Sequence, residues 1–205
     1  MRIIDATHLA AKVDLFRLPP NLSGDGPARA AGSSDPDARF GRKSATKSFY
    51  GYKEHLATDA DSELITAVAV TPGNVADSEV FEPLVDRSAR EVTADKGYDT
   101  NANHQHLEAN GQRSSIIVKK NRVNPQMMGR ADPDSCRKRP SIERKFAEQK
   151  KCHGLRQARY WGLAKVTIQV LIVCMVVNCK RMAKLQAMGT DPPRDGLCPN
   201  ADGGS

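Results

Sequence analysis

Three acids far apart in the chain, Asp5, Asp95 and Glu143, have the residue types and surroundings that could do chemistry. Each aspartate closes a short β-prone run, Arg2-Ile-Ile before Asp5 and Glu91-Val-Thr-Ala before Asp95. Carboxylates at the ends of neighbouring strands can meet, and a third acid on a covering helix can join them. Mg²⁺ is a hard cation that takes such oxygens together with water and substrate phosphate. Two such ions about 4 Å apart activate a nucleophile and stabilise the leaving oxygen of a phosphodiester. A single aspartate at a strand end is more often a turn residue or helix cap, so neither position identifies a site alone.

Glu143 belongs to a pattern. Arg139, Glu143 and Lys150 stand at i, i+4 and i+11 and share one helical face. A carboxylate flanked by two cations on one stripe suits a place where metals meet phosphates. The alternative is an ordinary Arg–Glu surface pair worth about 0.2–0.5 kcal/mol. Spacing by itself does not separate the two.

The formal net charge of +7 fits a polyanionic partner, and its placement says more than its size. Residues 137–165 carry ten Lys or Arg against two acids, Glu143 and Glu148, a larger excess than the whole chain holds. Lys151, Arg156 and Arg159 lie in this window with Arg139 and Lys150, and phosphate binding is expected of all five. The five cysteines form no zinc-binding spacing, and their odd number argues against a disulfide framework. No signal peptide opens the chain, and the longest apolar stretch, residues 166–179, is shorter than the roughly 20 residues a membrane helix needs. A buried helix in a cytoplasmic protein is the expectation.

The elements that must position these residues follow from periodicity. Residues 2–7 read as a strand, residues 50–58 and 63–71 as a hairpin, residues 91–95 as a fourth strand and residues 115–119 as a fifth. Helices are expected over 77–87, 100–110, 141–153 and 155–186, the last with a core stripe of Val166, Val170, Val173 and Val177. Tyr50 and Tyr52 are expected to pack, and His104 and His106 to lie on the surface. Tyr98 is a candidate for stacking near DNA. Residues 18–43 read as a loop or insertion, 120–140 as a basic loop, and 188–205 as a disordered tail. One domain over 1–187 remains, an α/β fold with a mixed sheet and helices packed on it.

The spacing Arg139-x3-Glu143-x6-Lys150 resembles the YREK signature of DDE insertion-sequence transposases. The signature's tyrosine position holds Cys136. Other stations resemble the same family in the same order: Asp5-Ala-Thr7, Asp35-Pro-Asp-Ala-Arg39, Tyr50-Gly-Tyr-Lys53, Val70-Thr-Pro-Gly-Asn-Val-Ala-Asp77, Ala94-Asp-Lys-Gly-Tyr98 and Gly154-Leu-Arg-Gln-Ala-Arg-Tyr160. The resemblance implies a ribonuclease H-like fold, with Asp5, Asp95 and Glu143 as catalytic and metal-binding residues for Mg²⁺ or Mn²⁺. It implies that Arg139 and Lys150 contact DNA near the cleavage point. Water would attack the phosphodiester at the transposon end, and the freed 3′-hydroxyl would then attack target DNA. Double-stranded DNA would be the partner, a homodimer the possible assembly, and the bacterial cytoplasm beside the nucleoid the location. Relatives carry a helical region before the first catalytic aspartate, and Met1 stands four residues before Asp5, so a chain shortened at its N-terminus is expected. The competing expectation is an inactive DNA-binding remnant of such an enzyme.

Overall fold

The computed structural model describes residues 1–13, 33–42, 46–119 and 137–189. Most of the two segments read as loops, Cys136, and the tail from residue 190 fall outside these residues. Six strands form one mixed sheet: β1 (Arg2–Ala10), β2 (Arg39–Arg42), β3 (Ser48–Asp59), β4 (Ile65–Pro72), β5 (Glu91–Ala94) and β6 (Arg113–Ser114). The order is β2-β3-β1-β5-β6, and β4 pairs β3 on the edge β2 also uses. β1 runs antiparallel to β3 and parallel to β5, and β5 runs parallel to β6. Among the described residues, three α-helices cover the sheet: α1 (Asn101–Ala109), α2 (Pro140–Cys152) and α3 (Leu163–Gly189). This is the α/β class expected, consistent with a ribonuclease H-like arrangement.

Strand alternation divides the core in two. Ile3, Leu56, Ile142, Phe146 and Val166, Val170, Val173 and Val177 of α3 form one cluster beneath α2 and α3. Ile4, Ala57, Phe81, Val92 and Leu107 form a second on the other face, under α1 and the 3₁₀ turns. Val166, Val170, Val173 and Val177 are all buried, as their spacing predicts. The rest of α3 departs from expectation. Ile168, Leu171, Ile172, Met175 and Val176 are exposed, so only one face of this helix is covered. By length and composition α3 is also apolar enough to cross a membrane. Here its valine face lies on the domain core, and Asn178 bonds the backbone N–H and C=O of Ile65.

Several boundaries also differ. Arg39–Arg42 form β2 inside the stretch read as loop, because they pair in register with residues 48–51. The helix expected over 77–87 is instead two short 3₁₀ turns, Asp77–Val80 and Glu82–Leu84, which meet at Phe81; Pro83 lies in the second and lacks the backbone donor that a continuous helix would use. The fifth strand ends as Arg113–Ser114, although Ser115 and Ile117 still donate backbone bonds to Val92 and Ala94. The last helix starts at Leu163 rather than 155. Gly154, at φ +68°, ends α2 in the left-handed conformation glycine tolerates best, with Leu155 N–H returning to the Gln149 carbonyl. Residues 155–158 then run beside the far end of β1, where Ala10 exchanges backbone bonds with Arg156 and Ala158.

Two family stations act here as structural ties. Gly51, at φ +151°, lets β3 pass so close to β1 that a Cβ would lie 2.2 Å from the Leu9 carbonyl. Asp35 is fully buried, and its Oδ1 accepts from the Tyr52 hydroxyl and the backbone N–H groups of Asp37, Ala38 and Gly162. Asp37 accepts from Leu163 N–H at 2.7 Å. The two acids together satisfy orphan donors at the start of α3 and oppose its positive end. Asp35→Ala is therefore expected to cost about 2–4 kcal/mol, leaving several buried donors unpaired. Asp37→Ala should cost about 1 kcal/mol. Urea unfolding midpoints of both variants check the ranking.

Candidate active site

The geometry of the site is set by one register. Arg2, Ile3 and Ile4 of β1 lie opposite Val92, Thr93 and Ala94 of β5. β5 ends there, and Asp5 and Asp95 are the next residue on each strand. Asp5 is not the end of its strand, as the sequence suggested, because β1 continues to Ala10 against β3. It is the first β1 residue past the end of its parallel neighbour. Alternation puts it on the side of Ile3, facing α2.

Helix α2 begins with Pro140 at its first turn and buries Ile142, Phe146 and Gln149 at helical spacing. Its depth is fixed by polar contacts as well. Gln149 Nε2 donates to Glu54 Oε1 at 2.9 Å in a buried setting that also includes Cys174. Burial pushes the Glu54 carboxyl up to about 7, against the lowering effect of Gln149, Cys174 and Lys150. Lys150 Nζ donates to Thr7 Oγ1 at 2.6 Å, two residues along β1 from Asp5.

This seating brings Arg139 to both aspartates. Its Nη2 lies 3.7 Å from Asp5 Oδ2 and its Nη1 3.7 Å from Asp95 Oδ1. Burial raises the Asp5 carboxyl to about 6; the Ala6 N–H and Arg139 pull it down, and the charges of Asp95 and Glu143 push it further up. Glu143 stands exposed in the first turn of α2, near enough for Asp5 to feel its charge. Among the described residues, no three acids, histidines or cysteines are gathered closely enough to form a ready metal cage. The donor set still suits a hard divalent ion in kind. All three candidates offer carboxylate oxygens, and a desolvated Asp5 gains most from a cation.

Apart from Arg137, Arg139 and Lys150, the basic residues of the 137–165 run divide into two groups. Lys138 pairs with Asp61, and Arg144 and Lys145 pair with Glu63, all on the β3–β4 turn. These cations hold the helix to the hairpin. Lys151, Arg156, Arg159 and Lys165 are exposed, with no acidic partner among the described residues. Beside Asp5, a cleft of about 300 Å³ is lined by Thr7, His8, Arg42, Lys53 and Lys150. Arg42 was missed in the sequence because it lies in a stretch read as loop. Lys53 pairs with Asp77 at 2.9 Å, while Tyr50 and Tyr52 are buried as expected. Tyr98 does not stack toward solvent; it is buried against Phe81, with its hydroxyl 3.3 Å from His55 Nδ1. His104 is not a free surface residue, since it bridges Asp99 at 3.0 Å and Ser114 at 2.9 Å.

The raised Asp5 carboxyl carries a pH dependence. Its native value of about 6 exceeds the ordinary 3.8, so the native state holds a proton that the unfolded chain releases between these values. Stability from this group is fully present below about pH 4 and is lost as pH rises through about 6. Asp5→Asn, measured in chelator, should be more stable than the parent above pH 6, by on the order of 3 kcal/mol. The two urea curves should converge below about pH 4.

Residues 1–179 match the family described as Transposase DDE domain. The chain is 30% identical over 155 residues to the transposase for insertion sequence element IS1106 of Neisseria meningitidis serogroup B. That match covers 74% of this chain and 53% of the relative, so the chain spans about half the length of the curated protein it matches. No solved structure matches it. On the family match and the curated relative together, the chain belongs to the DDE transposase family.

Proposed function

We propose that this chain is the catalytic core of an insertion-sequence transposase of the YREK type, folded as one domain over residues 1–187. It cuts a phosphodiester at a transposon end by hydrolysis and transfers the freed 3′-hydroxyl to target DNA. The observation that carries this reading is the parallel register of β1 and β5, which sets Asp5 and Asp95 side by side under α2. Asp5, Asp95 and Glu143 would hold Mg²⁺ or Mn²⁺, which when bound supplies activation of the attacking oxygen and neutralisation of the leaving one. A modest inward movement of the exposed first turn of α2 would complete the set.

The chain's own residues have separate tasks in this reading. Asp5 and Asp95 orient the reacting phosphate by fixing where positive charge lies, and alignment of this kind supplies most of the acceleration. Lys150, held on Thr7, meets the strand beside the scissile position. Lys151, Arg156 and Arg159 follow toward the far end of β1, where residues 155–158 pair with Ala10. Five residues of strand separate Asp5 from Ala10, about 17 Å, which matches roughly five steps of a DNA strand. Double-stranded DNA is the partner, a homodimer would unite two ends, and the bacterial cytoplasm beside the nucleoid is the setting. The dimer rests on family analogy.

A second reading is favoured by one observation: Glu143 stands apart from the aspartates, as in a DNA-binding descendant whose chemistry has lapsed. Plasmid nicking separates the two. The parent chain should nick supercoiled DNA only with Mg²⁺ or Mn²⁺, and Asp95→Ala should lower the rate by about 10²–10³-fold, the scale of losing one transition-state stabiliser. Equal behaviour of parent and variant would leave the DNA-binding reading standing. Joined strand-transfer products distinguish a transposase from a plain nuclease.

The basic track makes its own prediction. Lys151→Ala, Arg156→Ala and Arg159→Ala should each weaken DNA binding equally across sequences. Each should lower the slope of log affinity against log salt by about 1. Fluorescence anisotropy at several salt concentrations reads this directly, and an unchanged slope removes that residue from the interface.

A further inference from the structure

We propose that Arg139 is a built-in counter-ion for the Asp5–Asp95 pair and competes with a divalent cation for it. The inference rests on reading these two acids as metal ligands. One arm of the guanidinium faces Asp5 and the other faces Asp95, each at 3.7 Å. These are ion-pair separations, longer than hydrogen bonds, and Arg139 Nε is buried without a hydrogen-bond partner. The group is held between the acids by charge rather than by the directional fork that makes arginine–carboxylate pairs hard to break.

The location makes the competition unavoidable. The Arg139, Asp5 and Asp95 side chains are 17%, 18% and 41% exposed, so the pair is partly removed from water and needs a cation near it. A divalent ion that takes one oxygen from each acid at the roughly 2.1 Å of Mg²⁺ coordination must stand between them. The guanidinium already spans that gap, and a monovalent and a divalent cation cannot share it without strong repulsion. Arg139 can leave without unwinding the helix. It precedes Pro140, and its side chain makes no capping bond to α2. The acids are thereby stabilised without metal, and metal affinity is set partly by what draws the guanidinium away. A phosphate oxygen is the strongest such competitor on DNA.

Mn²⁺ binding to the full chain, without DNA, tests this by titration calorimetry and by the paramagnetic resonance signal of free Mn²⁺. Arg139→Ala and the similarly sized neutral Arg139→Gln should both lower Kd about tenfold or more. Circular dichroism establishes that each is folded. Lys138→Ala, which removes a neighbouring charge paired with Asp61, should change Kd by about twofold or less. Asp5→Asn should abolish binding in both the parent and the Arg139→Gln background. If the folded Arg139 variants keep the parent Kd while binding still requires Asp5, the counter-ion role is wrong and the ligand reading stands. An equal tightening by Lys138→Ala also overturns it, since a diffuse field would then be the cause. If Asp5→Asn leaves binding intact, or no protein binds Mn²⁺, the ligand reading fails and the counter-ion falls with it.

Discussion

Two carboxylates set side by side where β5 ends against β1 repel each other, and much of the structure around them answers that repulsion. The parallel pairing of β1 with β5 makes the juxtaposition a property of the backbone. Burial raises the proton affinity of Asp5 most, and the charge of Asp95 adds to it. A cation must be supplied. In the folded chain it comes from Arg139, the residue just before the helix that covers the site. Placing that helix is what much of the remaining structure does.

The placement of α2 is determined at several points along its length. Ile142 and Phe146 bury into the core shared with Ile3 and Leu56. Gln149 meets Glu54, whose partner across the sheet is Thr7, and Thr7 in turn receives Lys150. Lys138, Arg144 and Lys145 hold the opposite flank to acids of the β3–β4 turn. A slide of one helical turn, about 5.4 Å, would break every one of these contacts. Buried polar contacts of this kind add little net stability but penalise wrong registers, because each partner left alone is costly. The apolar contacts hold the helix down, and the polar ones fix where along the sheet it sits.

Much of this was legible in the sequence where the cause is local. The bounds of α1 and α2, the hairpin of β3 and β4, and the valine stripe of α3 follow from periodicity and capping, with Thr100 accepting from Asn103 N–H as a helix start. Asp5 and Asp95 stand out as candidates by their place in β-prone runs, although Asp5 lies within its strand. What sequence could not give depends on partners far away. The charge run over 137–165 looked uniform, yet Glu63, more than eighty residues distant from Arg144, withdraws part of it. Asp35 sat in a stretch with the composition of a loop, and only Gly162 and Tyr52, brought in by the fold, reveal it as a buried acceptor. His104 was read as surface because Ser114 and Asp99 reach it from either side of α1.

The division of the basic charge follows from the same geometry. Residues on α2 that point toward the hairpin meet acids there, and their charge is spent inside the molecule. Lys151 in its last turn, and Arg156 and Arg159 beyond it, are exposed and have no acidic partner among the described residues. Gly154 is the pivot between the two groups. By ending α2, it lets residues 156–158 run beside Ala10 at the far end of β1. Had the last helix begun at residue 155, as periodicity alone suggests, these side chains would have spiralled around its axis and faced several directions. The left-handed turn at one glycine instead sets the backbone of residues 155–158 against the far end of the strand that carries Asp5.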